Sequence, residues 1–315
     1  DSIMLELLFL ALLSPEAQDF FIQNPTHSFQ QELSVLEPVA SPQKDPNKRA
    51  PRFFENPDLA ILSIDVKTGK ELFAKDSDRR QPIASLTKLV TTLLILENYD
   101  LEEVVTVGLE ATRAEGSRID IYEYEQLSIR TLLEATLIAS ANDAAVALGI
   151  HHSGTEAAFA KEMQQWLKEK EIYSARMYNA TGLDIMPNQE SEVGVHENDP
   201  VILGNEMSAR DVLKLARLAL ESDFIRKTVK QPHFFGTSVD EEFFHEKTTT
   251  NQLLGSFLNL KGLKTGYTHL AGQCFIALGE TPQGHEVLTV VLGSLDRFGE
   301  TKNLMSWIYD SYDWR

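Results

Sequence analysis

The chain has 315 residues, 43% of them hydrophobic, which is enough for one large or two small domains with a sizeable core. Its formal net charge of −18 repels phosphate backbones, so nucleic-acid binding and docking on an anionic membrane through a basic face are not expected. The single cysteine, Cys274, excludes an internal disulfide, and its apolar neighbours predict a buried core position.

The first 57 residues differ in composition from the rest. Residues 3–13 are nearly all apolar but too few to span a bilayer. They fit the tail of an export signal or anchor, or an amphipathic helix packed on a partner, so membrane association would occur at this end. Seven of the twelve prolines precede residue 58, and 38–57 has linker composition. We therefore predict an N-terminal apolar segment with a Pro-rich linker (1–57) and a folded domain (58–315).

Hydrophobic periodicity becomes regular after the linker. It predicts a hairpin with strands at 59–66 and 71–74, helices at 85–97, 155–170 and 208–220, a buried helix pair or one broken helix at 127–149, a second hairpin with strands at 271–279 and 285–293, and a final helix. This order does not alternate as βαβ units do. It predicts an α+β fold, an antiparallel sheet with a helical lobe, rather than a doubly wound sheet.

A Ser-x-x-Lys sequence, Ser85 to Lys88, begins the helix predicted at 85–97. Residues i and i+3 share a helix face, so the amine can reach the hydroxyl. The amine can accept the hydroxyl proton if desolvation or a neighbouring cation lowers its pKa, and the free amide of Ser85 can bind an oxyanion. A second such sequence, Ser41 to Lys44, lies in the Pro-rich segment and is interpreted as a coincidence.

Two further short sequences carry suitable chemistry. Ser140 and Asn142 follow a buried helix: the serine can relay a proton and the amide can hold a carbonyl, although either residue can instead cap the next helix. Lys264 and Thr265 precede the strand at 271–279 and can bind a carboxylate, while Gly266 lets a ligand backbone approach. The amide of Tyr267 offers a second oxyanion donor. Another Lys-Thr-Gly, at 67–69, is explained by a hairpin turn.

Taken in this order, the three sequences resemble the signatures of penicillin-binding proteins and serine β-lactamases. Their spacings of 55 and 124 residues resemble those of the D-alanyl-D-alanine carboxypeptidase family of low-molecular-mass penicillin-binding proteins. The flanking segments 82–88, 140–145, 179–183 and 262–268 agree, and the resemblance covers about residues 53–314.

The resemblance implies a β-lactamase-like sandwich and a role for each residue. Ser85 is the acylated nucleophile, Lys88 its general base, Ser140 a proton shuttle, Asn142 a substrate-positioning group, Lys264 and Thr265 the carboxylate binders, Gly266 the close-approach position, and the amides of Ser85 and Tyr267 the oxyanion hole. Arg297 either helps to bind the carboxylate or is a surface residue. The implied partners are peptidoglycan stem peptides ending in D-Ala-D-Ala and β-lactam antibiotics, with no cofactor or metal. The implied location is the cell-wall space or periplasm, after export.

Alternatives remain open at this point. A D,D-endopeptidase that cleaves cross-links would use the same residues. A class A β-lactamase would need a deacylating carboxylate, and no Glu-x-x-Leu-Asn sequence lies between Asn142 and Lys264. A non-catalytic wall-binding protein has no need of the intact pair Ser85 and Lys88. Many family members add a C-terminal β-rich domain and anchor; with about fifty residues after Lys264, we expect neither here.

Overall fold

The structure, a computed structural model, describes residues 41–53, 56–185 and 202–314. The strands are β1 (Gln43–Lys44), β2 (Ala60–Asp65), β3 (Glu71–Lys75), β4 (Arg80–Pro82), β5 (Val104–Thr106), β6 (Gln126–Ser128), β7 (Glu206–Ser208), β8 (His233–Thr237), β9 (Phe244–Thr248), β10 (Leu260–Thr268), β11 (Gly272–Glu280), β12 (Glu286–Ser294) and β13 (Tyr312–Asp313). The helices are α1 (Lys88–Asn98), α2 (Leu109–Thr112), α3 (Ile129–Ile138), α4 (Asn142–Ser153), α5 (Glu156–Glu169), α6 (Ala209–Glu221), α7 (Asp223–Thr228) and α8 (Arg297–Ser311). A 3-10 turn, Ala84–Thr87, leads directly into α1.

A five-stranded antiparallel sheet in the order β10-β11-β12-β2-β3 separates two apolar cores. Successive side chains of a strand point to opposite faces. Leu62 and Ile276 therefore pack in the larger core with residues of α1, α3 and α6, while Ile61 and Phe275 pack in the smaller core with α8. Both sheet faces are covered by helices, and β10 lies at the sheet edge, next to the 3-10 turn. The predicted antiparallel sheet with a helical lobe is confirmed.

The segment predicted as a helix pair or one broken helix is a pair, α3 and α4. Ser128 caps α3 by accepting a hydrogen bond from the amide of Thr131. The residue that caps α4 is Ala141, which makes no side-chain capping bond. The interpretation of Ser140 or Asn142 as a helix cap is therefore wrong, and both side chains are available for other contacts.

Strand β10 and the hairpin β8–β9 differ from the prediction, and the short strands β1, β4, β5, β6, β7 and β13 were not predicted either. Lys264, Thr265 and Gly266 precede the strand at 271–279 as predicted, but they lie inside a strand of their own, β10, because pairing with β11 supplies the strand order that lysine and glycine do not favour by themselves. The hairpin β8–β9 was not predicted. The Lys-Thr-Gly at 67–69 does lie in a hairpin turn, where the amide of Thr68 donates to Asp65.

The chain divides into two compact units, Asp1–Ser41 and Pro42–Arg315. Residues 42–53, which the sequence places in the linker, belong to the second unit, where Gln43 and Lys44 pair with β13. The division of the chain at residue 57 stays a prediction, and the apolar segment 3–13 lies outside the described residues. Among the described helices, none is both long and apolar enough to cross a membrane.

Candidate active site

The 3-10 turn that carries Ser85 is held in a constrained backbone geometry. Ala84 has φ +48, a value that residues other than glycine rarely adopt. The carbonyl group of Ala84 lies close to Gly182. A Cβ on residue 182 would be 1.9 Å from the carbonyl oxygen of Ala84, so only glycine fits at position 182. Asn205 donates to the hydroxyl of Thr87 at 3.1 Å. These contacts fix the turn and place the partly exposed Ser85 inside it, three residues before α1 begins at Lys88.

Lys88 is fully buried beside the serine. Its Nζ lies 3.0 Å from Ser85 Oγ, 2.6 Å from Asn142 Oδ1 and 2.8 Å from the carbonyl oxygen of Thr181. Burial lowers the pKa of Lys88 from 10.5 to about 7. The nearby carboxylates of Asp143 and Glu156 act in the opposite direction, because they stabilise the charged amine. A neutral amine has two N–H groups and one lone pair. Since the amide and carbonyl oxygens can only accept, they take the two N–H groups and leave the lone pair facing the hydroxyl.

A second serine–lysine pair joins the helical lobe to the sheet edge. Ser140, with φ +58 in the turn between α3 and α4, accepts a hydrogen bond from Lys264 Nζ at 2.8 Å. Lys264 is buried and also donates to the carbonyl of Thr265. Its pKa is lowered well below the usual value, first by burial and then by repulsion from Lys88 and Arg297. A bound carboxylate would favour the charged form of Lys264, because an opposite charge stabilises it.

Asn142, the first residue of α4, is fixed by a loop at 115–121. Its backbone amide donates to the carbonyl of Ser117 at 2.7 Å, and its side-chain amide donates to the carbonyl of Glu115. The buried carboxylate of Asp143 accepts from the amides of residues 119, 120 and 121. These hydrogen bonds stabilise both the loop and the start of α4, and they leave the side-chain oxygen of Asn142 facing Lys88.

Strand β10 forms the opposite side of the site. At Gly266 a Cβ would lie 3.0 Å from the backbone nitrogen of Ser85, so strand β10 approaches Ser85 closely at this glycine. Thr265 Oγ1 lies 2.6 Å from Thr250 Oγ1. Arg297, at the start of α8, donates to the carbonyl of Gly266 at 2.8 Å. The side chain of Tyr267 is exposed, with its ring against His269.

The structure thus brings Ser85, Lys88, Ser140, Asn142, Lys264, Thr265, Gly266, Tyr267 and Arg297 to one place. Several groups at this site were not predicted. The carbonyls of Thr181 and Glu115 contact the key side chains through backbone atoms, which give no signal in residue type. Thr250 is the last of three consecutive threonines, 248–250, and no catalytic motif surrounds it. The segment 179–183 was singled out only by its resemblance, and its Asn179 side chain accepts from the amides of Thr181 and Gly182.

A family model described as D-alanyl-D-alanine carboxypeptidase matches residues 55–295. The chain belongs to this family. It is 28% identical to the D-alanyl-D-alanine carboxypeptidase DacF of Bacillus subtilis, covering 89% of this chain and 69% of the relative. It is 27% identical to a D-alanyl-D-alanine endopeptidase of Pseudomonas aeruginosa, covering 79% of this chain and 76% of the relative. Other carboxypeptidase relatives are longer, and the match spans 60% of one from Escherichia coli.

Solved structures agree with this assignment. A penicillin-binding protein of Streptococcus pneumoniae, described as a peptidoglycan synthesis regulatory factor, is 30% identical with a TM-score of 0.68, covering 79% of this chain and 72% of that one. A penicillin-binding protein of Listeria monocytogenes with ampicillin bound is 28% identical with a TM-score of 0.63, covering 82% of this chain and 100% of that one. The predicted family, fold class and enzyme class are confirmed, and the carboxypeptidase function is better supported than the endopeptidase alternative.

Proposed function

We propose that the protein is a serine-type D-alanyl-D-alanine carboxypeptidase that trims peptidoglycan stem peptides through an acyl-enzyme on Ser85. The observation that carries this proposal is the contact between Ser85 Oγ and the buried Lys88 amine, 3.0 Å away, with a pKa of about 7. A serine hydroxyl becomes an effective nucleophile when an adjacent base takes its proton, and a base works best with a pKa near the working pH.

Acylation follows from this arrangement. Lys88 takes the proton of Ser85, whose oxygen attacks the carbonyl carbon of the penultimate D-alanine. The amides of Ser85 and Tyr267 stabilise the tetrahedral oxyanion. The C–N bond then breaks, and the leaving nitrogen takes a proton from Ser140, which regains one from Lys264. The proton that Lys88 took from Ser85 replaces the one lost by Lys264, so Lys88 is neutral again. Lys88 then takes a proton from water, the resulting hydroxide adds to the ester carbonyl, and the proton on Lys88 returns to Ser85 as the ester C–O bond breaks and the acid leaves.

Substrate binding uses the sheet edge. Lys264 and Thr265 hold the terminal carboxylate, and Arg297 adds positive charge beside Gly266. The side chain of Asn142 orients the peptide through a carbonyl. A carboxylate in a β-lactam satisfies the same groups, which supports covalent inhibition of this protein by β-lactams.

Cleavage inside a cross-link is the second candidate function. The endopeptidase of Pseudomonas aeruginosa gives it support, since that relative matches over most of its length. The two functions differ in their need for a terminal carboxylate on the leaving residue.

We further propose that the protein is exported and acts at the cell wall, as its family does. Membrane association through residues 3–13 is part of this proposal. Its test is fractionation of cells that produce the chain with and without residues 1–41, and recovery of both forms in the soluble fraction would contradict it.

The test of the catalytic proposal uses benzylpenicillin and mass spectrometry. We expect one covalent adduct, mapped to the peptide that contains Ser85, together with release of free D-alanine from a D-Ala-D-Ala peptide. The variant Ser85→Ala should lose both, and Ser41→Ala should retain both. An adduct at Ser41, or no adduct on folded protein, contradicts the proposal.

A further inference from the structure

His245, on β9, is a buried histidine whose two ring nitrogens both have partners. Nδ1 lies 2.9 Å from the carbonyl oxygen of Ile119, and Nε2 lies 2.7 Å from Glu125 Oε1. A carbonyl oxygen only accepts, so Nδ1 carries a proton and donates to Ile119. Glu125 is also buried, and it accepts from the amide of Tyr122 at 2.9 Å. His245 and Glu125 therefore connect the hairpin β8–β9 to the loop between α2 and β6.

That loop is the one that fixes Asn142. The carbonyls of Glu115 and Ser117 accept from the side-chain and backbone amides of Asn142. Ile119, which His245 contacts, also donates its own amide to the Asp143 carboxylate. The path from the histidine to Asn142 is thus a short run of backbone, anchored at one end by the buried hydrogen bond from His245 to Ile119 and at the other by hydrogen bonds from Asn142 to Glu115 and Ser117.

The same hairpin continues to the other side of the site. Thr250 follows β9 by two residues, and its hydroxyl lies 2.6 Å from that of Thr265. A second link from β9 to the loop, the ion pair between Lys247 and Asp120 at 3.0 Å, is exposed. Exposed ion pairs contribute little, whereas an unpaired buried donor or acceptor is costly. His245 is therefore the stronger link between the hairpin and the Asn142 loop.

We propose that His245, held by Glu125, is a positioning residue for acylation. By fixing the carbonyl of Ile119 it holds the loop at 115–121, and through that loop it sets the orientation of Asn142, which accepts from Lys88. His245 itself touches neither the nucleophile nor the lysine. The inference rests on the proposed role of Asn142 in acylation. A displacement of about 1 Å at a positioning group can lower a rate by about a hundredfold.

Two nearly isosteric variants test this inference. In His245→Asn the side-chain amide nitrogen occupies the position of Nδ1, so it can still donate to the carbonyl of Ile119. In His245→Gln the side-chain amide nitrogen occupies the position of Nε2, from which it cannot reach that carbonyl. We expect His245→Gln to lower the second-order rate of acylation by benzylpenicillin by about tenfold to a hundredfold. His245→Asn should recover most of the rate. Rates are measured per active site, well below the Tm of each variant, so that instability does not contribute.

His152 provides a matched control. It forms a similar histidine–glutamate contact, 2.8 Å from Glu162, near the opposite end of α4. His152→Ala should acylate at the normal rate whatever its Tm. Normal acylation by His245→Gln, or a loss in His245→Asn as large as that in His245→Gln, would overturn the inference.

A double-mutant cycle separates action through Asn142 from a general effect. If His245 acts through Asn142, adding His245→Gln to Asn142→Ala should lower the acylation rate little further. Equal losses in both backgrounds would overturn the inference. Failure of the proposed function is distinguishable, because the unsubstituted protein would then not be acylated at all.

Discussion

The amine of Lys88 lies 3.0 Å from the hydroxyl of Ser85, and the lysine is completely buried while the serine is partly exposed. This difference in burial underlies the reactivity that we propose for the pair. Burial penalises the charged amine and leaves the hydroxyl open to a substrate. The oxygens of Asn142 and Thr181 then orient the neutral amine, so that its lone pair faces the serine.

The first prediction concerns pH. The pKa of Lys88 is lowered to about 7, and only the neutral amine can accept the serine proton. The second-order rate of acylation by benzylpenicillin should therefore rise with pH and level off above about 7, falling about tenfold for each pH unit below it. The measurement is this rate between pH 5 and 9, with stability checked at each value. A rate independent of pH across this range would rule out Lys88 as the base.

The second prediction concerns removal of the base. Lys88→Ala should lower the acylation rate by about 10²–10⁴, the usual contribution of general-base catalysis. Circular dichroism and the Tm show whether the variant is folded. Near-normal acylation by folded Lys88→Ala would mean that another base acts, and Ser140 with Lys264 is the obvious candidate, since their side chains lie 2.8 Å apart.

The third prediction concerns the packing behind the nucleophile. Gly182→Ala places a Cβ 1.9 Å from the carbonyl oxygen of Ala84 and 2.8 Å from Thr87 Oγ1, in a backbone conformation that alanine rarely adopts. The turn that carries Ser85 must shift, so both Tm and acylation rate should fall. Gly154→Ala is the matched control, because Gly154 has a similar φ of +77 but open space around it. It should lower the Tm without lowering the acylation rate. Equal acylation rates in the two variants would contradict the prediction.

Among the candidate site residues, the pair Ser85 and Lys88 and the pair Ser140 and Asn142 could be placed near each other from the sequence, because each pair lies in one short motif whose local structure is helical or turn-like. Ser85 and Lys88 are three residues apart, and the helix brings them together without help from the rest of the chain. The burial of Lys88 arises from packing against residues 142 and 181, far away in sequence, so its lowered pKa was not predictable. The strand character of Lys264 was missed for a similar reason, since it depends on pairing with β11.

Groups that act through the backbone have no motif at all. The carbonyl of Thr181 accepts from Lys88, yet any residue type has a carbonyl. His245 has a side chain with distinctive chemistry, but its partners Ile119 and Glu125 are more than a hundred residues away. In a single sequence, nothing marks such contacts until the fold is known.

The last prediction tests what Lys264 binds. Lys264 is buried and 2.8 Å from Ser140, whereas Lys67, in the other Lys-Thr-Gly, lies in the hairpin turn between β2 and β3. A charge-assisted contact to a carboxylate contributes roughly 1.5–3 kcal/mol, about tenfold to over a hundredfold in binding. Lys264→Ala should therefore lower kcat/KM on a D-Ala-D-Ala peptide by at least about tenfold. Lys67→Ala should change it little.

Amidation of the peptide's C-terminus removes the same contact from the substrate side. In the unsubstituted enzyme it should lower kcat/KM about as much as Lys264→Ala does, and in Lys264→Ala it should add little further loss, since the two changes remove one interaction. If the two lysine variants behave alike, Lys264 does not bind the carboxylate. If the amidated peptide turns over as well as the free acid, the enzyme does not need a terminal carboxylate, and cleavage inside a cross-link becomes the better account of its function.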